Sequence, residues 1–164
     1  MYPHTHLITA LLAGFLLFRL DVLTIPQVLI CGALAVLIDI DHYVLFVYRH
    51  LKEKDLSIIH AWNASSVGHE NNRSMIHHKD GIIMISVILL PLVFIRIDYY
   101  LVIAIAYYSH IILDHLHIRH FKDDRTLAEF GFFFKVRRTE LVFDLIILSM
   151  LFVQLLGHYH QAVL

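Results

Sequence analysis

Only one cysteine, Cys31, occurs in the 164 residues, and it lies within an apolar run. An internal disulfide is therefore excluded, and a single thiol says little about compartment. Charge is scarce as well: Asp, Glu, Lys and Arg make up 16% of the chain, and the formal net charge is −1. No long basic run occurs, so the chain lacks the electrostatic footprint of a nucleic-acid partner. No Lys or Arg precedes the first apolar run and no clear small-residue cleavage site follows it. That run is accordingly expected to stay in place rather than leave as a signal peptide. Internal repeats and low-complexity tracts are also lacking.

Apolar residues are plentiful. At 59% hydrophobic, with a mean hydropathy of +0.69, the chain is too apolar for an ordinary soluble fold. Several runs approach the ~20 residues that a helix needs to cross a bilayer. They predict a single domain over residues 1–164, an all-α integral membrane bundle of about five transmembrane helices. The expected helices run from Leu7 to Leu20, from Pro26 to Tyr48, from Asp80 to Ile97, from Asp98 to His117 and from Thr139 to Gly157. Pro26 suits a first helical turn, Pro91 a kink, and Thr139 an N-cap. Polar segments, Arg49 to His78 and His117 to Arg138, separate the second helix from the third and the fourth from the fifth.

All but Arg19 and Arg96 of the 13 lysines and arginines fall on one side of this five-span arrangement. The positive-inside rule then puts the N-terminus and both long polar segments in the cytoplasm of a multi-pass plasma-membrane protein.

Histidine is the unusual component. The 14 histidines outnumber lysine and arginine together, and a polar ring in hydrocarbon is costly unless paired or coordinated. The ionisable residues converge at one depth, in the cytoplasmic half of the bundle. His6 opens the first helix, Asp39, Asp41 and His42 lie in the second, and His77 and His78 precede the third. His110 and Asp114 close the fourth, and Glu140 and Asp144 begin the fifth. Within helices, His110 with Asp114, Asp39 with His42, and Glu140 with Asp144 share faces at three- or four-residue spacing. Imidazole and carboxylate in such pairs suit zinc and other divalent metals, and several of each can hold two ions.

Blander readings stand beside this one. A histidine in a membrane helix can serve as interhelical hydrogen-bonding glue. His4, His50, His60 and His69 read as interfacial, His158 and His160 as facing solvent, and Glu140 as a first-turn carboxylate favoured by the helix dipole. No role is assigned from the sequence to His78, His117, His120 or Asp144.

The series THLITALLAG, LIDIDHYVLF, RSMIHH and YSHIILDHL resembles the small prokaryotic membrane-bound metal-dependent hydrolases over residues 5–116. The resemblance implies metal ligation by His6, Asp39, Asp41, His42, His77, His110 and Asp114. That family is in turn similar to the zinc-dependent phospholipase C and single-strand nuclease group, which implies two zinc ions with Asp114 as the bridging carboxylate. Ile38 stands where relatives often carry a proline, and His78 where a serine is usual. His115, His117 and His120 replace a glycine-containing segment.

The function so implied is hydrolysis of a lipid or membrane-proximal phosphoester through a metal-activated water, with membrane lipid as partner or phospholipid as substrate. Asp39 or Asp41 is the expected general base, and Arg73 either pairs with phosphate or serves as a positive-inside anchor. The alternatives are a divalent-metal transporter and a structural membrane protein whose metal only holds the helices together. Five spans are few for enclosing a site, so a homodimer is an alternative to a lone chain.

Overall fold

Turn chemistry divides the first apolar stretch into two helices. The computed structural model describes residues 3–40, 75–116, 126–130 and 134–163. Helix α1 (Pro3–Phe18) starts with proline at its first position, where a missing N–H costs nothing. It begins earlier than the sequence pattern suggests, so His4 and His6 ride inside the helix. It ends in a Schellman motif: Val22 N–H bonds to Leu17 O and Asp21 N–H to Phe18 O, both at 3.0 Å. Asp21 takes the left-handed position usually given to glycine, with φ 57°.

Helix α2 (Ile25–Leu37) is started by Thr24, whose backbone N–H donates to Gln27 Oε1 at 2.8 Å, and carries Pro26 in its first turn. Its last described turn tightens. Ile38 N–H still reaches back four residues to Leu34 O, but Asp39 N–H bonds to Val36 O, only three residues back. The remainder of the expected second helix, to Tyr48, lies outside the described residues.

A 3₁₀ turn (Met75–His77) leads into α3 (Lys79–Ile95), which runs through Pro91. Arg96 alone separates α3 from α4 (Ile97–Leu116). Asp98, in the first turn of α4, accepts from Arg96 at 2.9 and 3.1 Å and from Gln27 Nε2 at 3.0 Å. This network ties the far ends of α2 and α4 together. Helix α5 (Arg138–Val163) is longer than the expected Thr139–Gly157.

The helical class stands, with one addition. Part of the expected polar connection over His117–Arg138 forms an antiparallel hairpin, β1 (Thr126–Phe130) and β2 (Phe134–Arg137), with Ala128 opposite Val136 and Phe130 opposite Phe134. Thr126, Phe130, Phe134 and Val136 are residue types that suit strands, and Gly131 between the strands is a poor helix former.

Helix α1 packs against α2, α4 and α5, and α2 also packs against α4. Small residues let the first three of these helices approach. His6, Ala10 and Gly14 recur every four residues on α1, as do Ala106, His110 and Asp114 on α4; Gly32, Ala35 and Asp39 follow three- and four-residue steps on α2. Ala10, Ala35 and Ala106 meet in one buried cluster. A side chain at Gly32 would stand 2.9 Å from Leu7 and Leu11, and one at Gly14 3.4 Å from Val28. Farther from the histidines the core fills with Phe15, Leu23, Val28, Cys31 and Val102.

Two helical segments, Ile97–Leu116 and Arg138–His160, are long and apolar enough to cross a membrane, and the second is almost wholly exposed. The outward side of α3 is apolar as well, with Ile83, Val87 and Phe94 all exposed.

Two outcomes follow. Ala106→Leu overfills the alanine cluster and is expected to lower unfolding free energy by about 1–3 kcal/mol, read by denaturation in detergent. Asp21→Val, forcing a β-branched residue into the left-handed region, is expected to cost about 1–2 kcal/mol in the same assay, whereas Asp21→Gly retains wild-type stability or exceeds it.

Candidate metal centre

Antiparallel succession of the helices brings chemically similar residues to one end of the bundle. His6 lies in the second turn of α1, Asp39 at the tightened end of α2, His77 on the 3₁₀ turn, and His110 and Asp114 in the last turns of α4. These five of the expected site residues come together. Asp41, His42 and Arg73 lie outside the described residues, as do His117 and His120.

Two overlapping triads form, His77–His110–Asp114 and His6–Asp39–His110, each with its ligand atoms within 4.8 Å of one another. In the first, His77 Nε2 is 3.1 Å from His110 Nε2, and Asp114 Oδ2 is 3.8 Å from each of those nitrogens. Ligand bonds of about 2.1 Å in a tetrahedral site place the ligand atoms about 3.4 Å apart. All three separations bracket that value. In the second, Asp39 Oδ1 is 3.3 Å from His110 Nε2. Asp114 serves both sides of the cluster, since its Oδ1 lies 3.3 Å from His6 Nε2. The rings of His6 and His110 stack at 3.9 Å.

The backbone decides how His110 presents itself. Asp39 N–H turns to Val36 O, so the Ala35 carbonyl is not taken by the usual donor four residues on. His110 Nδ1 lies 2.8 Å from that carbonyl oxygen. A carbonyl can only accept, so Nδ1 carries a hydrogen and Nε2 is the nitrogen that faces the cluster; in the neutral ring it does so as a lone pair. There it faces two carboxylate oxygens and a second imidazole nitrogen. A divalent cation would serve all of these lone pairs at once.

Burial sharpens the point. The side chains of His6, His77 and His110 are wholly buried. Neither ring nitrogen of His6 makes a hydrogen bond, and its approach to Asp114 has the distance of an ion pair without hydrogen-bond alignment. A buried imidazole without hydrogen bonds is costly and calls for a coordinated ion or equivalent partner. The residues present therefore fit a divalent ion. The Asp39 side chain is 23% exposed against 9% for Asp114, so Asp39 marks the side on which the cluster opens.

No family model, curated protein or solved structure matches the chain. The site stands on its own geometry.

Several residues sit differently from the sequence reading. His4, read as interfacial, reaches across to α5, with Nε2 2.9 Å from Asp144 Oδ2. Asp144 is buried, and so is Glu140, which is fully enclosed rather than displayed at a helix end. Burial of residues from both helices where α1 packs on α5 explains both differences. His158, read as facing solvent, is half-buried, edge-on to Phe18 at 5.0 Å and Phe15 at 6.2 Å. The Ala35 carbonyl, which orients His110, carries no side-chain signature and could not be found by residue type.

Bound metal should stabilise the fold. At 100 times its dissociation constant an ion that binds only the folded state adds about 2.7 kcal/mol. Thermal unfolding with chelator and with added divalent metal should show this increment in wild type and its loss in His110→Ala.

Proposed function

We propose that this protein is a membrane-embedded, metal-dependent hydrolase acting on a phosphoester of a lipid or of a membrane-proximal metabolite. The observation that carries the reading is the buried His77–His110–Asp114 triad, at tetrahedral spacing, beside a partly open Asp39. A site closed on all sides suits a structural metal, while a catalytic one keeps a position open.

Membrane embedding is supported by the two long apolar helices and by the exposed apolar sides of α3 and α5. Lipid would cover these surfaces, with α1, α2 and α3 completing a five-span bundle. The distribution of lysine and arginine favours a plasma-membrane orientation with the site end in the cytoplasm, where a lipid headgroup is within reach.

His77, His110 and Asp114 Oδ2 would hold one ion. Each imidazole nitrogen has a single lone pair, so His110 cannot serve both triads. A second ion would be held by His6, Asp39 and Asp114 Oδ1, so Asp114 would serve both. Bound there, divalent metal, with zinc as the expected choice, supplies polarisation of a phosphoryl oxygen and acidification of a water. Asp39, with its side chain 23% exposed against 9% for Asp114, would serve as the general base at the open side of the cluster. The Ala35 carbonyl holds the His110 ring in its tautomer and orientation throughout. Arg73, which the sequence offers as a phosphate partner, lies outside the described residues.

A second reading is a metal that only holds the helices together, favoured by the near-complete burial of His6, His77, His110 and Asp114. Transport is disfavoured, because the apolar cluster around Phe15, Val28, Cys31 and Val102 fills the bundle along the same helices.

Elemental analysis of purified protein, paired with phosphoesterase and phospholipase assays, separates these readings. Wild type should carry divalent metal and turn over a phosphoester. Asp39→Asn should keep the ion held by His77, His110 and Asp114 while losing about 10²–10⁴-fold in rate, and His110→Ala and Asp114→Ala should lose both that ion and turnover. Metal without any phosphoester turnover leaves the structural reading, and absence of metal ends both.

A further inference from the structure

His77 is held differently from the other residues of the centre. His6, Asp39, His110 and Asp114 belong to helices, or to the end of one, that pack on each other through small residues. His77 comes from a three-residue turn which, with α3, packs chiefly on α4. The direction of its ring follows from how that turn is held.

Tyr107 supplies that control. It lies three residues before His110 on the same face of α4 and is only 3% exposed. Its hydroxyl donates to the Ile76 carbonyl at 2.7 Å. That carbonyl and the His77 N–H belong to one planar peptide group, so holding the oxygen sets the plane from which His77 departs. The Tyr107 ring is braced edge-on by Tyr108 at 5.4 Å. Tyr108 in turn holds α3: Ser86 Oγ gives its hydrogen to Ile82 O at 2.7 Å and so receives the one from Tyr108, 2.6 Å away. Adjacent tyrosines thus divide the work, one holding the turn and the other the helix behind it.

We propose that Tyr107 is a positioning residue which sets the metal affinity of the centre by fixing the Ile76–His77 peptide. This rests on the metal reading above. Loss of the hydroxyl frees the peptide to rotate, and His77 Nε2 no longer stays 3.1 Å from His110 Nε2. Replacement of a group that orients a ligand typically weakens metal binding about 10–100-fold.

The test uses the full chain in detergent, titrated with zinc against a chromophoric chelator and with cobalt for its visible spectrum. Thermal unfolding of the metal-free protein is measured alongside. Tyr107→Phe is expected to weaken zinc by about 10–100-fold and to shift the cobalt bands toward those of His77→Ala. Tyr108→Phe, which loosens α3 but not the turn, is expected to keep wild-type affinity and spectrum. Tyr107→Gln, too short to hold the carbonyl, should behave as the Phe variant does and replaces it if that variant does not fold. A folded Tyr107 variant with wild-type affinity and spectrum overturns the proposal. So does an equal loss of affinity in the Tyr107 and Tyr108 variants, which would mark a merely structural role. Wild type that takes up neither zinc nor cobalt overturns the metal reading itself, and this inference with it.

Discussion

The hydrogen bond from His110 Nδ1 to the Ala35 carbonyl is the contact on which the rest of the centre depends. It exists because α2 does not finish as a regular α-helix. When Asp39 N–H turns to Val36 O, one carbonyl of the final turn is left for a side chain to use. The same tightening carries the Asp39 carboxylate to within 3.3 Å of His110 Nε2. A single irregularity thus supplies a candidate ligand at the end of α2 and orients another on α4. Orienting partners of this kind commonly accompany metal-binding histidines, where they fix the tautomer and leave the second nitrogen free.

Close approach is the accompanying condition. The carbonyl of one helix can meet an imidazole of another only if the backbones come near, and the alanines at positions 10, 35 and 106 permit that approach. In a bilayer, where burial of apolar surface gives no advantage to helix association, small-residue seams and interhelical polar contacts must do most of the holding. The seam ends in the histidine cluster, so packing and chemistry occupy successive turns of the same stripes.

Much of this was legible in the sequence because ionisable residues stand out in apolar runs. Type, spacing and helix direction marked a wider group of ionisable residues at one depth, and the family resemblance narrowed it to a ligand set from which the structure brings together His6, Asp39, His77, His110 and Asp114. Spacing also anticipated the first turn at Pro26 and continuation through Pro91. What could not be read depends on backbone detail or tertiary partners. Helix α2 is interrupted after Leu37, inside the run of apolar residues that contains it, and nothing in the pattern marks the tightened turn. His4 and Asp144 are ordinary polar residues near helix starts until α1 is laid against α5. The hairpin after α4 sits in a stretch whose charges suggested only a connection, although its threonine, valine and phenylalanines favour strands.

The short turn between α1 and α2 has a consequence for the order of assembly. With only a few residues and a Schellman closure between them, the two helices have almost no chain entropy to lose in pairing, and they can do so as soon as both have been synthesised. That hairpin already holds His6 and Asp39, yet neither triad is complete until the chain has grown past His110. On the metal reading, capture of an ion would therefore come late in biogenesis, after most of the chain has been synthesised around His6 and Asp39.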